Sequence, residues 1–348
     1  MISQFRATEP ADAGSISQLL QEVFGMRPDH PDLGIRQMDW KYWRPHPDWG
    51  GSRSFVAERN GRVIAHGAVV PLSCAWEDRR LKMIHLIDWV ARPDNPGAGI
   101  ALLKRIEQMV DGVLVAGGSE MTRKILPALG FRDIGKASSF ALPLRPLAML
   151  LDGSVNSWKP VARFARNMRW KMRARTRIPK GWSLRRQLPG DLGIIPGPKP
   201  GSQPGAQQAV FEWKAPEIAL FLECPVATSE FYLVLRDGLP IGYLALTLAV
   251  NQCRIADAWV ESRESEDWSA LYTLAVRQAL AHRHVAEIVT VAGTKTEIRA
   301  LEQTGFKSRG EVPMLVWSRD GTLPQSIRYQ LINGDGAWLN DGRNAFWT

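Results

Sequence analysis

The chain has 348 residues, 45% of them apolar, and a formal net charge of +9, which suits a globular protein with room for two cores. Its three cysteines, Cys74, Cys224 and Cys253, match neither a disulfide framework nor a metal signature, so no disulfide-stapled scaffold and no metal site is expected. The N-terminus lacks a signal-type apolar stretch and no run is long enough for a membrane-spanning helix, so the expected setting is cytoplasmic.

In chain order, "QFRA" reads as a short strand. "TEPADAGSISQLLQEVFG" reads as a helix with Thr8 placed to cap it and Pro10 in its first turn. A Trp-rich stretch, "MDWKYWRPHPDWGG", leads to a hairpin signal in which Asn60-Gly61 separates "SFVAER" from "RVIAHGAVVPL". Residues 81–91 read as a strand and 99–110 as an amphipathic helix, with the Pro/Gly-rich turn "PDNPGAG" between them. A strand, a helix ending in "LGF" and a last strand follow. A turn of this kind, opening a helix, can cradle phosphates on backbone N–H groups at the positive end of the helix dipole.

The second half repeats the first. Trp40-Lys41 returns as Trp213-Lys214, and the Asn60-Gly61 hairpin as Asp237-Gly238. "DWV" at 88–90 returns as "DAWV" at 257–260, and "VAGGSEMTRKILPALGF" as "VAGTKTEIRALEQTGF", all in the same order at similar offsets. Such order indicates two homologous α/β units. The expected division is 1–142, a basic helical linker over 143–181, a degenerate second unit over 182–318, and an irregular tail over 319–348.

These residues resemble the GNAT superfamily of acyl-CoA-dependent N-acyltransferases. "PDNPGAGIA" is similar to the family's phosphate-binding turn, with Pro96 in the slot of its usual Arg/Gln and Gly99 and Ala101 at the small positions. The resemblance implies an α/β (α+β) fold of two tandem domains, each a mixed, twisted sheet flanked by helices. It implies an acyl-CoA co-substrate, acetyl-CoA or another, lying in a splay beside strand 85–91. Val90, Arg92, Gly97, Ala98, Gly99, Ile100 and Ala101 would hold it, with Arg92 and Lys104 replacing part of the missing charge. After "DAWV" the second unit has no glycine, and Glu261, Glu264, Glu266 and Asp267 would repel a diphosphate, so only the first turn is expected to bind.

Acyl transfer needs a base for the ammonium proton. His85 and Asp88 are the candidates; strand alternation sends them to opposite faces unless a bulge intervenes. The family's usual tyrosine acid is replaced by Leu126 and Leu301. Trp40, Trp43 and Trp49 are candidates for an acceptor pocket, although capping of the core edge is the preferred account of them. The acceptor implied is the amine of a small molecule or amino sugar. Two other readings stand beside this one: a non-catalytic binding or sensing scaffold, and an aminoacyl-tRNA-dependent transferase of the peptidoglycan-bridge type.

Residues 158–187 hold eleven Lys/Arg and no Asp or Glu, so the rest of the chain sums to about −2. Val161, Phe164, Ala165, Met168 and Met172 share a helical face there. The segment reads as a connector packed on a domain, with an anionic membrane surface (a peripheral site on the inner face) as the next partner. Nucleic acid is third, unsupported by any aromatic-studded motif.

Overall fold

The computed structural model describes residues 4–151, 159–198, 208–322, 324–339 and 346–348. The first half runs β1 (Gln4–Ala7), α1 (Ala13–Phe24), α2 (Ile35–Met38), β2 (Ser54–Arg59), β3 (Arg62–Trp76), β4 (Arg79–Ala91), α3 (Ala98–Glu107), β5 (Gly112–Ala116), α4 (Glu120–Ala128) and β6 (Arg132–Pro143). Helices α5 (Pro146–Leu151) and α6 (Lys159–Lys171) connect it to the second half. There follow β7 (Trp182–Gln187), β8 (Gln208–Phe211), α7 (Ala215–Leu222), β9 (Thr228–Arg236), β10 (Leu239–Ala249) and β11 (Gln252–Val260). The chain continues with α8 (Ser265–Ala281), β12 (Glu287–Ala292), α9 (Lys295–Thr304), β13 (Lys307–Ser318) and the two-residue β14 (Ser326–Ile327). Among the described residues no helix is long and apolar enough to cross a membrane.

Both predicted hairpins form where left-handed backbone is cheapest. Asn60 and Gly61 have φ of 52° and 74°, and Asp237 and Gly238 have 50° and 83°, as a two-residue turn between twisted strands requires. The start of α1 differs from expectation. Asp12 accepts the Glu9 N–H at 2.8 Å in a short capping turn, while Thr8 accepts from the Trp43 indole at 2.9 Å. Pro10 opens that 3-10 turn, which absorbs the residues assigned to the helix start.

The strands join in one mixed sheet of order β1-β2-β3-β4-β5-β13-β6-β12-β11-β10-β9-β7, with β8 on the far end of β3. Each half's last strand is exchanged. β13 lies antiparallel between β5 and β6, Leu315 opposite Val115 and Val312 opposite Ala137. β6 in turn pairs with β12, Val289 opposite Ala141. The halves are therefore continuous through a shared centre, and one apolar cluster runs from Met83 and Leu114 to Phe231, Trp268 and Phe306. Two smaller clusters lie under α3 and under α1, each covering one stretch of β2–β4.

Within each half a parallel pair opens. β4 and β5 are in register only from Met83 to His85, and β11 and β12 only from Gln252 to Arg254. Past each of these short registers the parallel pair leaves backbone unpaired inside the sheet. The two openings have different fates.

Candidate active site

The first opening is set by two histidines. At the vertex, Ala116 N–H donates to His85 Nε2 at 3.1 Å, and Nδ1–H of the same ring donates to the Asn333 carbonyl at 3.1 Å. His85 is buried, which pushes its pKa down to about 4, so the ring is neutral and its tautomer fixed. Both nitrogens are spent, one parting β5 from β4 and the other anchoring the C-terminal tail.

Beyond the vertex β4 bulges. Its register against β3 slips between His66 and Ala68, and Asp88 takes φ of 49°. The freed Asp88 carbonyl accepts from His66 Nδ1–H at 3.1 Å, and His66 Nε2 accepts from the Ser54 hydroxyl at 2.8 Å. This bulge breaks the alternation, so His85 and Asp88 both line the cleft. His66 had no motif to mark it; a His-Gly pair in mid-strand opposite "IDW" is the only trace.

The Asp88 carboxylate receives Lys41 Nζ at 2.7 Å and the Tyr42 hydroxyl at 2.7 Å. Burial works against its charge, yet Lys41 and its other neighbours hold its pKa below the usual carboxylate range. Asp335 enters the same cleft from the tail, flanked by two glycines. A Cβ on Gly334 would lie 2.2 Å from His85 Nδ1, so only glycine lets the tail press on that ring. Burial, and the neighbouring Asp88, raise the Asp335 carboxyl pKa against the pull of Lys41. This residue lay in a segment readable only as irregular; "GDG" was its only local signal.

Asp32 completes the acidic group. It is 3% exposed, neither carboxylate oxygen has a hydrogen-bond partner among the described residues, and burial lifts its pKa to about 7. An acid with a folded pKa above its unfolded value binds its proton more tightly when folded. Stability is then highest at low pH and falls as pH rises from about 4 to about 7. Asp32→Asn is expected to remove about 3 kcal/mol of that loss between pH 5 and pH 8, read as denaturation midpoints of both proteins at those two values.

At the other end of the cleft, Gly97 has φ of 83° and leads into α3. The Trp89 indole donates to the Gly99 carbonyl at 2.9 Å, and a Cβ on Gly99 would stand 3.3 Å from Trp89 Nε1 and from Ala91 Cβ. Gly97, Gly99, Ile100, Val90 and Ala91 line the cleft, joined by Ser119 and Thr122 at the start of α4. Ala98 and Ala101 spend their N–H groups on Asn95 and Gly97 carbonyls, at 3.2 and 2.9 Å. Neither expected cation faces the turn. Arg92 is buried, paired with Glu22 and donating to the Val63 carbonyl at 3.0 Å. Lys104 binds Glu107 and the Leu129 carbonyl, at 2.8 and 3.1 Å. The cleft as a whole is about 500 Å³, large enough for an extended ligand.

The three tryptophans are dispersed. Trp40 lines a separate apolar cavity of about 80 Å³ between the halves, donating to the Leu220 carbonyl at 2.8 Å and packing edge-on to Trp338. Trp43 packs beside α1, and Trp49 packs on Phe55 under α3. None lines the cleft.

The second opening is filled by the protein itself. Arg328 donates to Asp257 at 3.0 Å, to Glu297 at 3.1 Å and to the Ala258 carbonyl at 2.5 Å, at 3% exposure. Asp257 stands at the place corresponding to Asp88, and its Oδ2 accepts from Tyr243 at 2.7 Å. A buried guanidinium therefore occupies the β11 edge.

Residues 4–115 match the family model described as acetyltransferase (GNAT) domain. No curated protein matches the chain. Among solved structures, it is similar to an N-acetyltransferase from Anabaena variabilis, at 13% identity and a TM-score of 0.55 over 90% of this chain and 72% of that one. Similar too is Saccharomyces cerevisiae N-myristoyltransferase with bound myristoyl-CoA and inhibitors, at 10% identity and a TM-score of 0.59, over 99% and 88%. An N-acetyltransferase from Sphaerobacter thermophilus aligns at 16% identity and a TM-score of 0.51, over 93% and 98%. These likenesses show a fold shared with acyltransferases.

Proposed function

For a chain of the GNAT superfamily with its family domain at residues 4–115, we propose an acyl-CoA-dependent N-acyltransferase. Its first half would carry acetyl from CoA to the primary amine of a small molecule. The observation that carries this reading is the open cleft between β4 and β5, with the Gly97–Ile100 turn at one end and Asp88 and Asp335 at the other. An extended thioester would pair with the backbone of β4 past His85 and set its pyrophosphate on the α3 N-terminus. Pro96 removes one donor, and among the described residues neither Arg92 nor Lys104 compensates, so the turn would act through backbone N–H groups and the helix dipole.

The amine would arrive beside the carboxylates. Its ammonium would give a proton to Asp335, whose carboxyl pKa is raised by burial and so holds a proton better than an ordinary carboxylate. The nitrogen would then form its bond to the thioester carbon and shed its second proton to water as the amide forms, and the carbon–sulfur bond would break, releasing CoA thiolate. No tyrosine stands at Leu126 to protonate it, and a thiolate leaves without much help. In this reading His85 and Asp88 are positioning residues, the first wedging the strands and the second holding the bulge through Lys41.

The test is calorimetric titration of acetyl-CoA into the wild type and into Gly99→Glu. The variant adds a carboxylate and a side chain at the turn, its Cβ 3.3 Å from Trp89 and Ala91, which must give slightly to admit it. Binding in the wild type, with a loss of at least about tenfold in the variant, supports the reading. A folded wild type that binds no acyl-CoA overturns it and favours a scaffold without turnover.

A further inference from the structure

The apolar side chains of α6 were expected to pack on a domain, and most of them do not. Val161, Ala165, Met168 and the following Met172 recur at i, i+4, i+7 and i+11, so they share one stripe. All four are exposed, Val161 at 60% and Met172 at 75%. The helix is held by other residues. Asn167, 1% exposed, donates to Thr348 at 3.5 Å, and the Trp170 ring lies between Arg166 and Arg309, 4.7 and 5.5 Å from their guanidinium carbons. Among the described residues the stripe is therefore left facing outward.

Cations flank it. Arg169 and Lys171 lie on either side of it and are exposed, and Arg173, Arg175, Arg177 and Lys180 continue the series past the helix end, also exposed. No acidic residue falls within 158–187 to neutralise them. We propose that this face docks on an anionic lipid bilayer, the stripe entering the headgroup boundary and the flanking cations meeting lipid phosphates. An apolar stripe between rows of Lys/Arg is the pattern of a helix lying in an interface. A nucleic-acid groove would leave Val161, Met168 and Met172 without partners, and the indole within the helix, Trp170, already has the guanidinium groups of Arg166 and Arg309 over its ring.

The experiment is co-sedimentation of the full chain with phosphatidylcholine vesicles and with equimolar phosphatidylcholine and phosphatidylglycerol vesicles, at low and high salt. Anionic vesicles are expected to bind at least about tenfold more protein, with binding falling as salt rises. Met168→Glu with Met172→Glu changes only exposed side chains and is expected to cut that binding at least about tenfold, with the circular dichroism spectrum unchanged. Arg169→Glu with Arg173→Glu should do the same. The proposal is overturned if the wild type ignores anionic vesicles. It is equally overturned if the methionine pair leaves binding unchanged, or if the protein prefers a short DNA duplex when both are offered.

Discussion

Asp335→Asn is expected to lower kcat for acetyl transfer about 100- to 10,000-fold, the range for loss of a positioned base, with little change in acetyl-CoA affinity. The pH profile distinguishes this from a merely structural effect. In the wild type the rate should rise with pH through the raised pKa of Asp335, because the carboxylate must be ionised to take the ammonium proton. The variant should lose that limb while keeping its fold. Asp88→Asn gives the contrast. Its carboxylate receives Lys41 at 2.7 Å, so its loss strands a buried ammonium, and the main effect should be on stability. If Asp335→Asn turns over at the wild-type rate, the tail is a scaffold and the base lies elsewhere.

Arg328→Met is expected to destabilise the protein by about 3–5 kcal/mol, because it leaves Asp257 and Glu297 as buried carboxylates without their cation. Chemical denaturation measures this as a drop in midpoint. Neutralising the pair as well, with Asp257→Asn and Glu297→Gln, should recover most of the loss. A small effect of Arg328→Met alone would mean that water reaches the triad. The triad also explains why the second half cannot copy the first: the backbone edge that β4 presents to the cleft is, on β11, already bonded to a guanidinium.

How much of this the sequence disclosed depended on whether the signal was local. The hairpins at Asn60-Gly61 and Asp237-Gly238 were legible because left-handed backbone selects its residues. The α3 turn was legible because its glycines sit between a strand and a helix of clear period. The bulge at Asp88 was foreseen only as a condition, since what holds it is His66, on another strand. The strand exchange was illegible because β6 and β13 carry similar patterns, and either would satisfy the edge of β5 or β12. Asp335 was illegible for a different reason: its position depends on contact between Gly334 and His85, almost 250 residues away, and no period announces such a contact. The cationic roles read for Arg92 and Lys104 came from nearness in sequence, and Glu22 and Glu107 lay nearer in space.

The exchange of last strands has a consequence for how the chain is made. β5 is complete when residue 116 leaves the ribosome, yet the strand that covers it, β13, begins only at residue 307. For that interval the nascent first half holds an unpaired edge, with β6 close at hand as a near-equivalent substitute. Synthesis thus passes through a stage in which the more local pairing is the wrong one. Correct folding must either hold β6 away from β5 or undo that pairing late. Contacts spanning so much chain close slowly, and the centre of the sheet is the part of this protein where temporary protection during synthesis would matter most.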